Sequence, residues 1–207
     1  PWALDLNADG SLLFFTEYAG SNLKVVNLSA TTKTLMNGAI SVPAGQVVKV
    51  IGNGGGVTEG SYTSAKIQQP KGLSVYEDAG VLKGFFISSY NRDVVSFVNN
   101  TASTITIGDK DVESGNLRWV FGDRGYRYNG DSNPGKLTSL WDPLGLELVD
   151  NTLYVASYTN AMVRSLDVSV ANGAVGTTIN KELIYDFISS NNPNDIKLMT
   201  PTYLASH

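Results

Sequence analysis

The most constraining feature of the sequence is a short segment that recurs four times along the chain. Each copy begins with proline and has leucine three residues later. The copies are residues 1–6 (PWALDL), 70–75 (PKGLSV), 143–148 (PLGLEL) and 201–206 (PTYLAS). Intervals of roughly 60 to 70 residues separate them, which is room for four strands and their loops. A repeat of this length predicts an architecture built from similar β units.

Each copy opens a longer unit with the same order of features. A turn leads to an apolar stretch that ends on a tyrosine, at residues 13–18, 85–90 and 153–158 (Tyr18, Tyr90 and Tyr158). A polar turn leads to a third stretch at 23–28, 94–98 and 162–166. After loops at 29–46, 99–116 and 168–181 comes a fourth stretch at 47–51, 117–121 and 183–187. Alternation of apolar residues, without helical periodicity, predicts four strands per unit.

This order of Pro-x-Gly-Leu, turn, aromatic-rich strand, tyrosine and aliphatic strand resembles the NHL-repeat β-propellers of bacteria. The connectors at 51–70 and 125–143 resemble the glycine-rich links between blades, although Ala3 replaces the usual glycine and residues 189–199 lack a Gly-Asp pair. The resemblance implies an all-β β-propeller of four-stranded antiparallel blades, three in this chain plus the first strand of a fourth. The implied blades are residues 1–69, 70–142 and 143–200, with 201–207 beginning the fourth.

Three blades are fewer than the four to eight that usually close a propeller ring. We therefore expect the chain to be a fragment of a larger propeller. No signal peptide is visible before the first strand-like segment, so the chain looks like a mature or trimmed piece. The alternative is self-association, in which two or more copies complete one ring and cover the exposed strand edges.

Composition narrows the classes of partner. The net charge is −4 and the pI is about 4.9, so the chain has no general attraction for nucleic acid or anionic membranes. No apolar run approaches the roughly 20 residues of a membrane span. The absence of cysteine fits an extracytoplasmic bacterial protein made without disulfides, whether periplasmic, cell-surface or secreted. Asn27 and Asn99 begin Asn-x-Ser/Thr motifs, which would carry glycans only in a secreting eukaryote.

The sequence predicts no catalytic residue, cofactor or metal ligand. Its one histidine is His207, so neither a Ser/His/Asp arrangement nor a multi-histidine metal site can form within the chain. Propeller lyases and lactonases hold a metal on the central axis. The innermost strands here begin with Trp2, Lys71, Leu144 and Thr202, which do not form such a ligand set.

Two segments resemble ion- or phosphate-binding loops. Residues 5–10 (DLNADG) match the start of a calcium loop, but Thr16 stands where a bidentate glutamate is required. Residues 130–137 nearly match a phosphate-binding loop, but Leu137 replaces the hydroxyl residue that holds magnesium. We therefore interpret the first as a hairpin turn and the second as a loop between blades.

The predicted binding surface is the propeller face where the turns between second and third strands meet the links between blades. Tyrosine, arginine and asparagine are favoured at recognition surfaces. The predicted binding residues are Tyr90, Asn91, Arg92, Arg124, Tyr126, Arg127, Tyr128 and Asp131. The three loops between third and fourth strands are nearly free of aromatics and are not expected to contact the ligand.

Two patterns on this face have competing interpretations. The recurring tyrosines Tyr18, Tyr90 and Tyr158 are interpreted first as packing residues at the end of each blade. Arginines interleaved with aromatics at 118–128 could stack on RNA. We favour an exposed loop with locally paired arginines, because the chain is acidic and the pattern is absent from the other units.

These observations favour a non-enzymatic binding or scaffold module that recognises a protein or a glycan through its loop-rich face. Two alternatives stay open. One is a fragment of a propeller hydrolase or lyase whose catalytic or metal-binding residues lie in further blades. The other is a purely architectural stack of blades in a surface assembly.

Overall fold

The computed structural model describes residues 1–125 and 138–169, and the backbone of residues 176–179. Within these residues the chain is all-β, and its strands pair antiparallel. The single helical element there is a three-residue 3₁₀ turn, Tyr90–Arg92. No helix in this part of the chain is long and apolar enough to cross a membrane.

The first sheet contains four strands in the order β1-β2-β3-β6, and a small hairpin, β4-β5, is inserted before the last. Their bounds are β1 Leu4–Leu6, β2 Leu12–Glu17, β3 Asn22–Asn27, β4 Lys33–Leu35, β5 Ile40–Val42 and β6 Val47–Ile51. The alternation predicted from sequence is realised, since buried and partly exposed residues alternate along β2 and β3.

The second sheet repeats this arrangement and gains a short edge strand, giving the order β7-β13-β10-β9-β8 with a separate hairpin β11-β12. The bounds are β7 Gly60–Ser61, β8 Pro70–Asp78, β9 Val81–Ser89, β10 Val94–Asn99, β11 Ile105–Ile107, β12 Lys110–Val112 and β13 Asn116–Phe121. The edge strand β7 comes from the connector after the first sheet, so this link also ties the two units together.

The third sheet has the order β14-β15-β16-β17, with β14 Pro143–Val149, β15 Thr152–Ser157, β16 Met162–Asp167 and β17 Gly176–Ile179. The strand that pairs with β16 is Gly176–Ile179, which lies within the segment 168–181 that was predicted as a loop. The predicted fourth stretch, residues 183–187, lies outside the described residues. The sequence interpretation favoured 183–187 because those residues are more apolar than the segment that pairs.

The predicted loops at 29–46 and 99–116 are not featureless. Each contains one of the two inserted hairpins, and each hairpin turns apolar side chains into the core. Leu35 and Val42 are buried in the first, and Ile107 and Val112 in the second. The strands of both hairpins are only three residues long and are flanked by Ser, Thr and Gly, so their alternation of apolar and polar residues was too short to predict strands.

The apolar core consists of two layers, one on each side of the second sheet. Phe85 and Ile87 on β9 pack with the first sheet, and the rings of Phe14 and Phe85 are 4.6 Å apart. Phe86 and Phe97 lie in the other layer, among apolar residues of the third sheet. Because strand side chains alternate in direction, the near-continuous apolar run of β9 serves both layers.

Asn27 and Asn99 close the two hairpins. The side-chain amide of Asn99 donates to the carbonyls of Ser103 (2.7 Å) and Val112 (2.8 Å), and its oxygen accepts from Thr101. Asn27 makes the same set of bonds in the first unit. Both side chains are fully buried. The two Asn-x-Ser/Thr motifs therefore have a structural role in the fold, because the amide nitrogen that would carry a glycan is sealed inside.

The calcium-like segment forms the turn between β1 and β2. Asp9 Oδ1 accepts from the Ser11 amide (2.8 Å) and from Asn7 Nδ2 (2.7 Å). Hydrogen bonds from the Ser11 side chain, the Ser11 amide and Asn7 lower the pKa of Asp9 to about 2. Asp5 points elsewhere, since its Oδ2 accepts from the Val75 amide of the second sheet (2.7 Å). The hairpin-turn interpretation is confirmed, because the acidic side chains serve the turn and the contact between sheets.

Candidate functional site

A groove runs where the first strands of the three sheets, β1, β8 and β14, lie beside one another. Its volume is about 320 Å³. It is lined by Trp2, Ala3, Leu4, Asp5, Lys71, Gly72, Leu73, Gly145, Leu146 and Glu147. The recurring segment found in the sequence therefore builds the wall of one concave site, with equivalent residues of successive units side by side.

The wall is close-packed at Gly72. Its amide donates to Ser88 Oγ (2.6 Å), and that hydroxyl donates to the Leu144 carbonyl (2.9 Å), so one serine joins the second sheet to the third. A Cβ atom at position 72 would stand 2.0 Å from the Leu144 oxygen. Only glycine allows β8 and β14 to approach this closely.

Aromatic residues gather at one end of the groove, in what we call the tyrosine rim (Trp2, Tyr18, Lys71, Tyr90 and Tyr158). The rings of Trp2 and Tyr18 are 5.5 Å apart. Lys71 Nζ lies 3.5 Å from the ring centre of Tyr90, 4.5 Å from Trp2 and 5.3 Å from Tyr18. All three distances are within the range of cation–π attraction. Residues far apart in sequence are thus held as one cluster.

Electrostatics indicate that the three tyrosines converge. Burial is the main cause that raises the pKa of Tyr90, followed by the charges of Asp142, Tyr158 and Tyr18. Tyr158 belongs to the third sheet, so the rim contains the equivalent tyrosine of all three units. Tyr18 and Tyr90 therefore contact Lys71 beside the groove, and Tyr158 lies near enough to act on Tyr90 electrostatically.

Lys71 is the positive charge of the rim. Burial lowers its pKa, and the carboxylate of Asp142 acts in the opposite direction. Within the part of the chain that the structure describes, its ammonium group has ring contacts but neither a hydrogen-bond acceptor nor an ion pair. The group is held in position by aromatic faces and keeps its N–H donors available.

Asp5 and Glu147 supply negative charge along the wall of the groove. Burial raises the pKa of Asp5, and hydrogen bonds from the amides of Val75 and Leu6 act against that rise. Glu147 lies close enough to raise the pKa of Asp5 further by repulsion. The groove therefore has a cation at its mouth and carboxylates along its wall.

The predicted residues Tyr90, Asn91 and Arg92 occupy the 3₁₀ turn between β9 and β10. Tyr90 belongs to the rim, whereas Asn91 and Arg92 are exposed beside it. Asn91 Nδ2 donates to Gln69 Oε1, and Arg92 Nε donates to Gln68 Oε1 (2.6 Å). In this unit the turn lies against the end of the preceding link.

Arg124 lies in a different environment. Its guanidinium stacks on the ring of Trp119 on the outer strand β13, 3.9 Å from the centroid. Nearby Arg118 donates to both carboxylate oxygens of Glu113 (3.0 Å each) and lies 3.6 Å from Glu59. The predicted local pairing of this arginine is confirmed.

The other predicted binding residues lie outside the described residues. They are Tyr126, Arg127, Tyr128 and Asp131, together with the phosphate-loop-like segment 130–137. Their place at the loop-rich face stays a prediction.

A buried carboxylate joins the turn after β9 to the strand β14. Asp93 is buried with a left-handed backbone (φ 56°), and its Oδ1 accepts from the Asp142 amide (2.8 Å). In the first unit Ser21 takes the same position and accepts from Gln69 (3.5 Å). Burial raises the pKa of Asp93 to about 6, and the charges of Asp142 and Asp123 add to the rise.

We expect Asp93→Asn to stabilise the protein at pH 7.5. Asparagine keeps the acceptor oxygen and removes the charge. The folded pKa of Asp93 lies above its ordinary value of 3.8, so the folded protein favours the neutral side chain. Its free energy of unfolding therefore falls as pH rises from 3.8 to about 6, where the buried carboxyl group must ionise. After discounting for solvent screening, the gain at pH 7.5 should be about 1 to 2 kcal/mol.

Urea unfolding at pH 4 and 7.5 measures this effect. Asp150→Asn is the matched control, because Asp150 is an exposed aspartate with the same left-handed backbone (φ 53°). A gain that is equal at both pH values, or equal in the control, would contradict the proposed role of the buried charge.

Within the described ranges, no group of three or more His, Cys, Asp or Glu side chains is arranged to hold a metal ion. That Asp93, Asp123 and Asp142 influence one another therefore does not define a metal centre. The prediction that this chain binds no metal still needs elemental analysis.

Comparisons with known proteins identify the fold but no family. No protein-family model matches the chain, and no curated protein matches its sequence. Among solved structures, the chain is similar to an auxiliary nutrient binding protein of Bacteroides ovatus (TM-score 0.54, 14% identity) and to one of Bacteroides thetaiotaomicron (TM-score 0.52, 10% identity), covering 84% of this chain in each case. It is also similar to a candidate phosphatase of Bacteroides thetaiotaomicron (TM-score 0.52, 11% identity, 86% of this chain).

The chain spans 36%, 36% and 34% of these three proteins. At such identities the likeness concerns the fold alone.

The sequence interpretation missed the role of Lys71 and Trp2 in the rim. Both residues take the second position of the recurring segment, directly after Pro1 and Pro70. That shared position was the available signal, because equivalent residues of the first strands line the same groove. Their cation–π contact could not be predicted, since it depends on how the turn tyrosines lie against Lys71.

Proposed function

We propose that this chain is a non-enzymatic binding module whose ligand contacts the tyrosine rim and enters the groove beside it. The observation that carries the proposal is the cluster of Trp2, Tyr18 and Tyr90 around Lys71 at the mouth of a concave site. Aromatic side chains at a pocket entrance provide rigid contact area with little loss of conformational entropy. Trp2 remains 43% exposed, so part of its surface is available to a partner.

Among the partners considered, a glycan suits this site better than a protein. The groove is at the small end of ligand pockets, which measure about 300 to 1,000 Å³. Aromatic rings and carboxylates match the C–H faces and hydroxyl donors of a sugar. Two of the similar structures are described as auxiliary nutrient binding proteins, which supports a binding role in an extracytoplasmic setting.

We also propose that the three sheets are consecutive blades of a larger β-propeller. The outer face of the first sheet supports this arrangement. Leu4 and Leu6, which are 61% and 49% exposed, pair with Phe15 and Leu13, and the stripe continues through Val26 to Val47. The second sheet, in contrast, buries apolar side chains on both of its faces. Those on one face include Phe85 and Ile87, and those on the other include Phe86 and Phe97.

A further four-stranded sheet is the occupant that this apolar face fits, because the two interfaces already present are formed by such sheets. The similar structures are longer than this chain, which agrees with additional units in one polypeptide. Self-association of copies is the alternative source of that sheet. A solution mass measured on the chain and on the full-length protein distinguishes the two.

Binding should depend on the rim and not on the hairpin loops. We expect Tyr90→Ala to weaken ligand binding by about 2 kcal/mol, or roughly thirtyfold, if Tyr90 is a central anchor. Removing the ring takes away both a ligand contact and the closest support of Lys71.

Titration calorimetry with a glycan panel measures this loss. The control is Thr34→Ala on the exposed side of the β4–β5 hairpin, which should leave affinity unchanged. Equal affinity of Tyr90→Ala and the unmodified protein, or a loss with the hairpin variant alone, would place the site elsewhere.

A further inference from the structure

We infer that the ligand is a sugar acid or a glycan that contains one, with its carboxylate bound by Lys71 and its hydroxyls in the groove. This inference rests on the proposed glycan-binding function and names the chemical class of the ligand.

The surroundings of the Lys71 ammonium group indicate an anionic ligand. An ammonium group that is partly removed from bulk water usually has an acceptor or a carboxylate of its own protein beside it. Lys71 is partly buried, three aromatic rings lie around its Nζ, and no acceptor within the described part of the chain is in hydrogen-bond distance of it. The rings restrict the side chain, so little further entropy is lost when an anion binds. A carboxylate would complete the hydrogen bonds of a cation that is already positioned.

The negative charges nearby decide what kind of anion fits. Asp142 acts on Lys71 electrostatically, and Asp5 and Glu147 line the same groove as Lys71. A highly charged group such as a phosphate monoester would be repelled by these carboxylates. A single carboxylate carries the least charge that can still pair with Lys71. The site therefore favours a sugar acid over a phosphorylated sugar.

The rest of the groove suits a sugar ring. Asp5 Oδ1 and Oδ2 each accept one backbone amide, and each carboxylate oxygen has a second lone pair for a hydroxyl. Trp2 and Leu4 add apolar surface at the same wall. The pocket thus contains a cation, acceptors for hydroxyl groups and an apolar surface. A sugar acid has the matching groups, which are a carboxylate, hydroxyl donors and the C–H face of the ring.

The test measures binding of galacturonate and glucuronate, with galactose, glucose and the methyl ester of each acid as neutral counterparts. NMR or calorimetric titration on the whole chain gives the affinities. We expect an acid to bind about tenfold more tightly than its neutral counterparts. Lys71→Met, which keeps the apolar stem, should remove that preference, and Lys71→Arg should keep most of it. Lys110→Met, in the β11–β12 hairpin, is the control and should leave the preference unchanged.

The outcomes separate this inference from the function on which it rests. If acids and neutral sugars bind equally and Tyr90→Ala weakens both, the rim binds glycans and the role assigned to Lys71 is wrong. The same conclusion follows if the preference survives in Lys71→Met with native circular dichroism. If no sugar, acidic or neutral, perturbs the rim resonances at tens of millimolar, both the glycan function and this inference are overturned.

Discussion

Gly72→Ala is expected to lower the free energy of unfolding by about 3 kcal/mol, at the upper end of the cost of overpacking. The added Cβ would stand 2.0 Å from the Leu144 carbonyl oxygen and 2.8 Å from both Leu146 Cγ and Ser88 Oγ. Since these contacts include backbone, the clash cannot be relieved by a change of rotamer. β8 and β14 must separate, and the serine bridge between the sheets is lost with their contact.

Urea denaturation followed by circular dichroism measures this change. Gly55→Ala is the matched control, because a Cβ there meets no atom within 4 Å and should change stability by less than about 0.5 kcal/mol. The groove shares its wall with Gly72, so ligand affinity should fall together with stability. Similar stability of the two variants would contradict the close approach of the second and third sheets.

Asn99→Ala should destabilise the protein by about 3 kcal/mol, because the buried Val112 carbonyl and the part-buried Ser103 carbonyl both lose their donor, at roughly 1 to 3 kcal/mol for a buried group. The amide of Asn99 supplies both carbonyls. Without it the β11–β12 hairpin loses its attachment to β10. Buried Ile107 and Val112 would then be exposed more often.

Denaturant unfolding and amide hydrogen exchange of residues 105–112 follow this loss. The control is Asn116→Ala, whose side chain makes a single exposed bond of 3.2 Å to Glu113 and should matter by less than about 0.5 kcal/mol. If exchange in the hairpin is unchanged in Asn99→Ala, the hairpin is held by its apolar contacts and not by the amide.

The strand pattern could be predicted because it depends on local alternation. The fourth stretch of the first unit, residues 47–51, coincides with β6, and β8 and β14 begin at Pro70 and Pro143 as expected. A strand with one face in a core must repeat every second residue, so its position is readable without knowledge of its neighbours. The arrangement of these sheets as propeller blades stays a prediction.

The errors have one physical origin. The inserted hairpins and the strand Gly176–Ile179 lack a strong local alternation of apolar residues, and the hairpins are held by contacts distant in sequence, such as the amide of Asn99. A buried asparagine looks like any polar residue until its partners are known. The same holds for Lys71, whose three rings come from two sheets and from positions 2, 18 and 90.

The central claim is that ligand contacts the tyrosine rim, and an NMR titration that locates the contact tests it most directly. The backbone amides and the Trp2 indole are assigned, and the ligand that binds best in the panel is added stepwise. We expect the largest shifts at Trp2, Lys71 and Tyr90, with little change in the hairpins at 33–42 and 105–112. Shifts concentrated in those hairpins, with the rim unchanged at saturation, would contradict it.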